Sequence, residues 1–216
     1  ERKFMFDLWR LKAPAASSKV QHRLRHIAMV GNFPPRRCGI ATFSADLFAA
    51  LELTDPMLRC DVVAMNDGAE AYAYPDQVTL QIEQNSTVDY CSAADALNRN
   101  GVELVSIQHE FGIFGGAAGA HLLTFGAGME APVVTTLHTI LENPNDEQRS
   151  VMDALLAHST RVVVMSQKGR EILTRVYGAS SRKIAVIPHG APDRQLQPTG
   201  PMKARLGFED RDVVLT

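Results

Sequence analysis

The sequence predicts an α/β chain built on a doubly wound, Rossmann-like parallel sheet. Three observations carry this expectation. Short apolar, often β-branched runs recur along the chain. Segments with apolar residues at helical spacing separate them. The runs end on glycine, proline or polar clusters rather than on two-residue hairpin turns. Strands covered on both faces read as continuous apolar runs, and their alternation with helices builds βαβ units.

The first run, Ile27-Ala28-Met29-Val30, stops at Gly31. Phe43, Leu47, Phe48 and Leu51 then repeat with the period of a helix. Asp61-Val62-Val63-Ala64-Met65 reads as a second strand, and Val78-Thr79-Leu80-Gln81-Ile82 as a third that alternates. Asn85 or Ser86 caps a helix reaching about Asn98, and Leu104-Val105-Ser106-Ile107 follows as a strand. Pro132 leads into the β-branched run Val133-Val134-Thr135-Thr136-Leu137. Asn145 caps the next helix, with Asp146 and Glu147 in its first turn, where negative charge suits the helix dipole. Arg161-Val162-Val163-Val164-Met165 is a strand, and Ser166 caps a helix that Gly178 stops. Lys183-Ile184-Ala185-Val186-Ile187 is the last strand before Pro188. The Rossmann-like domain is therefore expected over residues 24–195. Residues 1–23 read as a basic extension, and 196–216 as a linker and the start of a further domain whose first strand is Val213-Val214-Leu215. The missing initial methionine and this late strand give the sequence the look of a piece of a longer protein.

The chain has 216 residues, 45% hydrophobic and 21% charged, with a formal net charge of −2, the profile of a globular chain. Lys and Arg total 22 against 24 Asp and Glu, so there is no chain-wide basic footprint and no nucleic-acid partner is expected. Cys38, Cys60 and Cys91 are too few and too scattered for a disulfide scaffold or a zinc ribbon. No apolar run approaches the roughly 20 residues of a membrane span. Charge is unevenly spread: residues 1–25 carry a net +5, leaving −7 on the rest. Within this arm sit Phe4, Met5, Phe6, Leu8, Trp9 and Leu11. Two readings stand, a peripheral membrane anchor or an extension that packs its aromatics on a domain. The shortness of the run and the interruption at Asp7 favour packing.

In open parallel sheets, ligands bind outside the carboxyl ends of the strands. Gly31, Asn32, the pair Pro34-Pro35, Arg36, Arg37, Cys38 and Gly39 follow the first strand. Gln108-His109-Glu110 follows the fourth, His138-Thr139 the fifth, Ser166-Gln167 the sixth, and Pro188-His189-Gly190 the last. Three of the seven histidines thus fall at or near strand ends, which favours a shared pocket over three separate structural roles. Gly39 permits a close approach of backbone to a phosphate or sugar at a helix start. Arg36 and Arg37 are either phosphate partners or solvated loop charges. The Gly-x-Gly-x-x-Gly dinucleotide fingerprint is absent, and no His, Cys, Asp or Glu set has zinc spacing.

Taken together, residues 31–43 (GNFPPRRCGIATF), 108–116 (QHEFGIFGG), 136–139 (TLHT) and 187–190 (IPHG) resemble the N-terminal half of a retaining glycosyltransferase of the GT-B fold. The likeness is to family 4, the large bacterial group that includes phosphatidylinositol and glycan mannosyltransferases, and it covers about residues 24–216. The resemblance implies two Rossmann-like domains facing across a cleft, this chain forming the acceptor side. An absent C-terminal domain would hold most of the nucleotide-sugar donor. The implied reaction moves a hexosyl group from that donor to a hydroxyl of a glycan or lipid acceptor, with anomeric retention and without metal or other cofactor. Cys38 and Gly39 match the family's glycine-rich turn, where many relatives carry two glycines. His138 matches its active-site histidine and is the expected catalytic residue. His109 and Glu110 match a cleft-facing strand end, Ser166 a strand end near the domain interface, and His189 the segment leading to the hinge; these are the expected substrate-binding positions. The isolated chain is expected to be inactive, and the protein cytoplasmic, at the inner membrane face if the arm binds lipid. Three other readings remain: a nucleotide-sugar epimerase or phosphorylase on the same architecture, a glycan- or lipid-binding module without catalysis, and a flavodoxin-like regulatory domain.

Overall fold

The computed structural model describes residues 23–68, 72–191 and 198–208. The aromatic cluster of the basic arm and the run Val213-Val214-Leu215 lie outside the described residues. Seven strands form one sheet: β1 (His26–Gly31), β2 (Arg59–Asn66), β3 (Val78–Glu83), β4 (Leu104–His109), β5 (Val133–Leu137), β6 (Arg161–Val164) and β7 (Ile184–Val186). All pair in parallel, in the order β3-β2-β1-β4-β5-β6-β7. The helices are α1 (Gly39–Thr54), α2 (Thr87–Arg99), α3 (His121–Gly128), α4 (Asp146–His158), α5 (Gln167–Tyr177) and α6 (Thr199–Leu206). This is the expected Rossmann-like α/β architecture.

The winding reverses once. From β1 the chain moves outward through β2 to β3, then returns to β4 on the other side of β1 and proceeds to β7. Right-handed crossovers place α1 on one face and α2 to α5 on the other. The core follows that division. A large cluster joins alternate residues of the sheet, such as Val30, Val105, Ile107, Leu137 and Val164, to Tyr90, Leu97, Phe125, Met152 and Leu173 of the four helices. A small cluster of Met29, Phe33, Phe48, Val62 and Ala64 lies under α1.

The helices begin where short polar side chains satisfy their first amides, each such cap contributing about 0.5–2 kcal/mol. Asn145 and Gln148 form a reciprocal capping box on α4. Ser86 accepts from Asp89 N and Ser166 from Gly169 N, and Gly178 ends α5 at a left-handed φ of 64°. α3 carries no such signal. Its sequence HLLTFGAG has two glycines and no side-chain cap, so packing against α2 and the sheet rather than propensity holds it helical. α6 starts at Thr199, inside the stretch expected to be linker. Pro201 sits in its first turn, where an absent N–H costs nothing.

Gly115, which opens a run of small residues to Ala120, makes a close contact between loops. A Cβ added at Gly115 would lie 1.7 Å from the Gln84 carbonyl oxygen. Replacing Gly115 by Ala is therefore expected to lower the unfolding free energy by about 1–3 kcal/mol through overpacking. Gly126→Ala, inside α3 with open space around it, is expected to raise it by up to about 1 kcal/mol. Urea unfolding of the two variants checks both signs.

Candidate functional site

The reversal of strand order falls between β1 and β4, and a ligand crevice in such a sheet opens there. Both strands end on polar groups at this point. Gly31 and Gln108 lie side by side; a Cβ on Gly31 would be 2.9 Å from that of Gln108. Glycine at this position therefore lets the two strand ends close up.

The segment after β1 is a clamped loop. Arg36 N donates to Phe33 O across a turn with a cis peptide between Pro34 and Pro35. The Arg36 guanidinium donates to Asn32 Oδ1 and Met65 O, each at 3.0 Å, and pairs with Asp67 at 3.4 Å. It ties the loop to the end of β2 and is not a free phosphate partner in this arrangement, while Arg37 is exposed. Cys38 is the N-cap of α1: its Sγ accepts from Ala41 N at 3.3 Å and from Asn32 Nδ2 at 3.2 Å. The amides of Gly39 and Ile40 have no partner among the described residues, and nothing lies within 4 Å of a Cβ built on Gly39. The helix N-terminus is thus open to solvent, with the partial positive charge that attracts anions.

One turn further along α1, Phe43 faces the histidines. Its ring is 4.7 Å from that of His138 and 5.4 Å from that of His189, both nearly perpendicular. His138 Nε2 lies 3.1 Å from Gln108 Oε1, and its amide donates to His109 O. Burial first, then the neighbouring His189, push the His138 pKa down to about 4, while Glu110 pulls the other way. Glu110 accepts a hydrogen bond from the Thr139 hydroxyl. The structure therefore brings together Cys38, Gly39, Glu110, His138 and His189 around the carboxyl ends of β1, β4, β5 and β7. Ser166 sits at the end of β6, exposed, its hydroxyl used as the α5 cap.

His109 does not join them. The expectation that it faces a cleft is corrected by its burial: it is 0% exposed, with its ring packed between Phe111 and Phe114. The reason is the two-residue period of a strand. His109 shares the face of Val105 and Ile107, which is the face of the large core, while Ser106 and Gln108 point to the α1 side. Desolvation lowers its pKa to about 3, with His138 adding to the shift. Neither ring nitrogen has a hydrogen-bond partner among the described residues. Sequence reasoning passed over Gln108 and read Phe43 only as part of a core stripe, although alternation along β4 marks Gln108 as the rim residue.

Two surface grooves lie elsewhere. One of about 390 Å³ runs beside Arg149, Tyr177 and Lys183, and one of about 360 Å³ beside Glu52, Arg59 and Asp76. The second lies at the amino ends of β2 and β3, and neither carries the convergent polar groups of the rim. Among the described residues no cluster of three His, Cys, Asp or Glu side chains is placed to hold a metal ion, and no helix is long and apolar enough to cross a membrane.

Residues 49–195 match the family described as Glycosyltransferase Family 4. The chain belongs to this family. The match starts within α1, so residues 31–43 precede it. Solved structures agree on the fold of this glycosyltransferase domain. A glycosyltransferase from Rickettsia africae ESF-5 superposes with a TM-score of 0.58 at 16% identity, over 89% of this chain and 52% of its own. The apo form of the lipopolysaccharide outer core galactosyltransferase WaaB gives 0.54 at 12%, over 77% and 46%. A protein described as a UDP-N-acetylglucosamine 2-epimerase, from Listeria monocytogenes, gives 0.54 at 12%, over 75% and 44%. The chain spans about half the length of these structures. No curated protein sequence matches it. The expected likeness to the N-terminal, Rossmann-like half of a GT-B family 4 enzyme thus holds.

The depressed histidine pKa values set a pH dependence for this domain. Between the ordinary value of 6.5 and about 4, the folded His138 holds fewer protons than the unfolded chain, and His109 does so down to about 3. Stability contributed by neutral rings is therefore present above pH 6.5 and is lost as pH falls through this window. Urea midpoints followed from neutral to acid pH are expected to drop, and His109→Met to flatten the drop.

Proposed function

We propose that this chain is the acceptor-side half of a retaining glycosyltransferase that moves a hexosyl group from a nucleotide sugar to a hydroxyl of a glycan or lipid acceptor. The observation that carries the reading is the convergence of an open helix N-terminus at Gly39 with His138, His189 and Glu110 at the point where the strand order reverses. Family membership supports the reaction class.

In this reading the α1 N-terminus and the Gly39 backbone lie against the donor diphosphate, whose departure needs its charge stabilised. His138, neutral at physiological pH, contacts the transferred sugar near the reacting carbon. Glu110, held by Thr139, orients the acceptor hydroxyl on the same face, as retention requires. Cys38 acts by capping α1 and so aiming its amides. Ser166 and His189 line the side toward a second domain. The donor is held mainly by that C-terminal domain, so the isolated chain is inactive. No metal or other cofactor is assigned to the reaction; the resemblance of the motifs carries that part. The protein works in the cytoplasm; equal vesicle sedimentation with and without residues 1–25 would leave the arm to pack on a domain, which the Asp7 interruption favours.

A second reading, nucleotide-sugar epimerisation, is favoured by the likeness in fold to the Listeria monocytogenes protein. An assay of a two-domain protein containing this chain separates the two: sugar appearing on an acceptor supports transfer, and conversion of the free nucleotide sugar without acceptor supports epimerisation. In that protein, His138→Ala is expected to lower turnover by about a hundredfold or more, and unchanged activity would remove His138 from the reaction. Gly39→Ala is expected to keep the melting temperature and lower turnover by about ten- to a hundredfold, because the methyl group occupies space that only a ligand would need. Steady-state kinetics beside thermal unfolding measures both.

A further inference from the structure

We infer that the aromatic, basic segment from Phe4 to Lys12 docks in the groove at the amino ends of β2 and β3, with Trp9 as its anchor. The segment lies outside the described residues, but the groove and the point where the chain enters the fold do not. That entry point is fixed. Arg23 Nε donates to Asp55 at 3.0 Å. The amides of Arg25 and His26 donate to Glu103 at 2.6 and 3.1 Å, and Arg25 O accepts from Arg59 N at 2.8 Å. Asp55 also ties the turn after α1, taking the Met57 amide on its carboxylate and the Leu58 amide on its carbonyl. Leu58 lines the groove, and three residues place it at most about 11 Å from Asp55. The stretch from Ala13 to His22 reaches up to about 33 Å when extended, so it spans that gap with room to spare. On so short a tether the segment meets the groove at roughly millimolar effective concentration, and weak contacts suffice to hold it.

The groove complements the segment in both polarity and charge. It holds about 360 Å³ between α1 and the amino ends of β2 and β3. Phe48, Leu58 and Cys60 give it apolar surface, and the exposed Leu24, Leu53 and Met57 lie within two residues of Arg23 or Asp55. An aromatic side chain packed on such surface removes it from water. Glu52 and Asp76 stand on the lining, while its cation, Arg59, is spent on the buried Asp61. The Cys60 thiol registers the negative surroundings: burial first, then Asp61 and Glu52, push its pKa up to about 12. The segment brings Phe4, Phe6, Trp9 and Leu11 among the cations Arg10 and Lys12. A lipid surface would take the same side chains, but the chain entry sets them beside a groove of opposite charge. The inference does not rest on the transferase reading, because the rim lies at the other ends of the strands.

Trp9 is the chain's single tryptophan, so its fluorescence reports the docking directly. In the full chain its emission is expected at short wavelength, with acrylamide quenching several-fold weaker than in a free peptide of residues 1–12. Glu52→Lys combined with Asp76→Lys, both at exposed positions, should red-shift the emission and raise quenching toward that of the peptide. Thr79→Tyr, which fills the groove without changing its charge, should do the same. Added salt should shift the emission in this direction too, by screening the charge attraction. Circular dichroism shows that each variant keeps its fold. Solvent-like emission in the wild type overturns the inference. So does a buried Trp9 that no folded variant moves, which would place the segment elsewhere. Emission that depends on protein concentration would assign the segment to a second copy. A blue shift that appears only with vesicles of phosphatidylglycerol and phosphatidylcholine would assign it to lipid. Either result overturns docking within the chain.

Discussion

The space between the carboxyl ends of β1 and β4 is the constraint on which the rest of the structure depends. Because the chain departs from β1 in one direction and returns to β4 in the other, no crossover covers this point. The two strand ends approach so closely that only glycine fits at position 31. From that contact follow the clamped loop of Asn32 and Arg36, the direction in which α1 sets out, and the height at which Phe43 meets the histidines. The polar groups of the rim come from five separated segments, and a single backbone feature brings four strand ends into register with a helix start.

The electrostatics of the rim are restrained. Arg36 is neutralised by Asp67 and a carbonyl, and both imidazoles nearest the strand ends are held neutral by burial. What remains for an anion is a set of backbone amides at the start of α1, beside the exposed Arg37. Such donors keep their orientation without a counter-ion, and they do not titrate. Arg36, which would compete for the same charge, has been tied into the scaffold.

Much of this was legible in the sequence. The strands were readable because parallel strands buried on both faces leave near-continuous apolar runs, as in Arg161-Val162-Val163-Val164. The caps at Ser86, Asn145, Ser166 and Gly178 were readable because their physics is local. α3 was hidden because its glycines oppose a helix that tertiary packing imposes. The start of α6 was hidden because Pro201 punctuates loops and first turns alike. In the site, proximity along the chain misled. His109 and Gln108 are neighbours in sequence and opposites in space, one under the core and one at the rim. The alternation of Val105 and Ile107 with Ser106 held that answer. Arg36 could not be placed from sequence, since its partner Met65 O belongs to another strand.

The unequal division of the core has a further consequence. The face of α2 to α5 holds the large apolar cluster, while α1 joins a small one, its own Phe48 packing with Met29, Phe33, Val62 and Ala64. Local opening costs free energy in proportion to the packed surface it disrupts. The helix that presents the rim is thus the part of the domain that can separate at the least cost, while the sheet and its opposite layer stay intact. Cooperative stability resides in one layer, and adjustability in the other. A ligand that bridges the α1 N-terminus and the strand ends would join the two, so that binding and the ordering of this layer become one event.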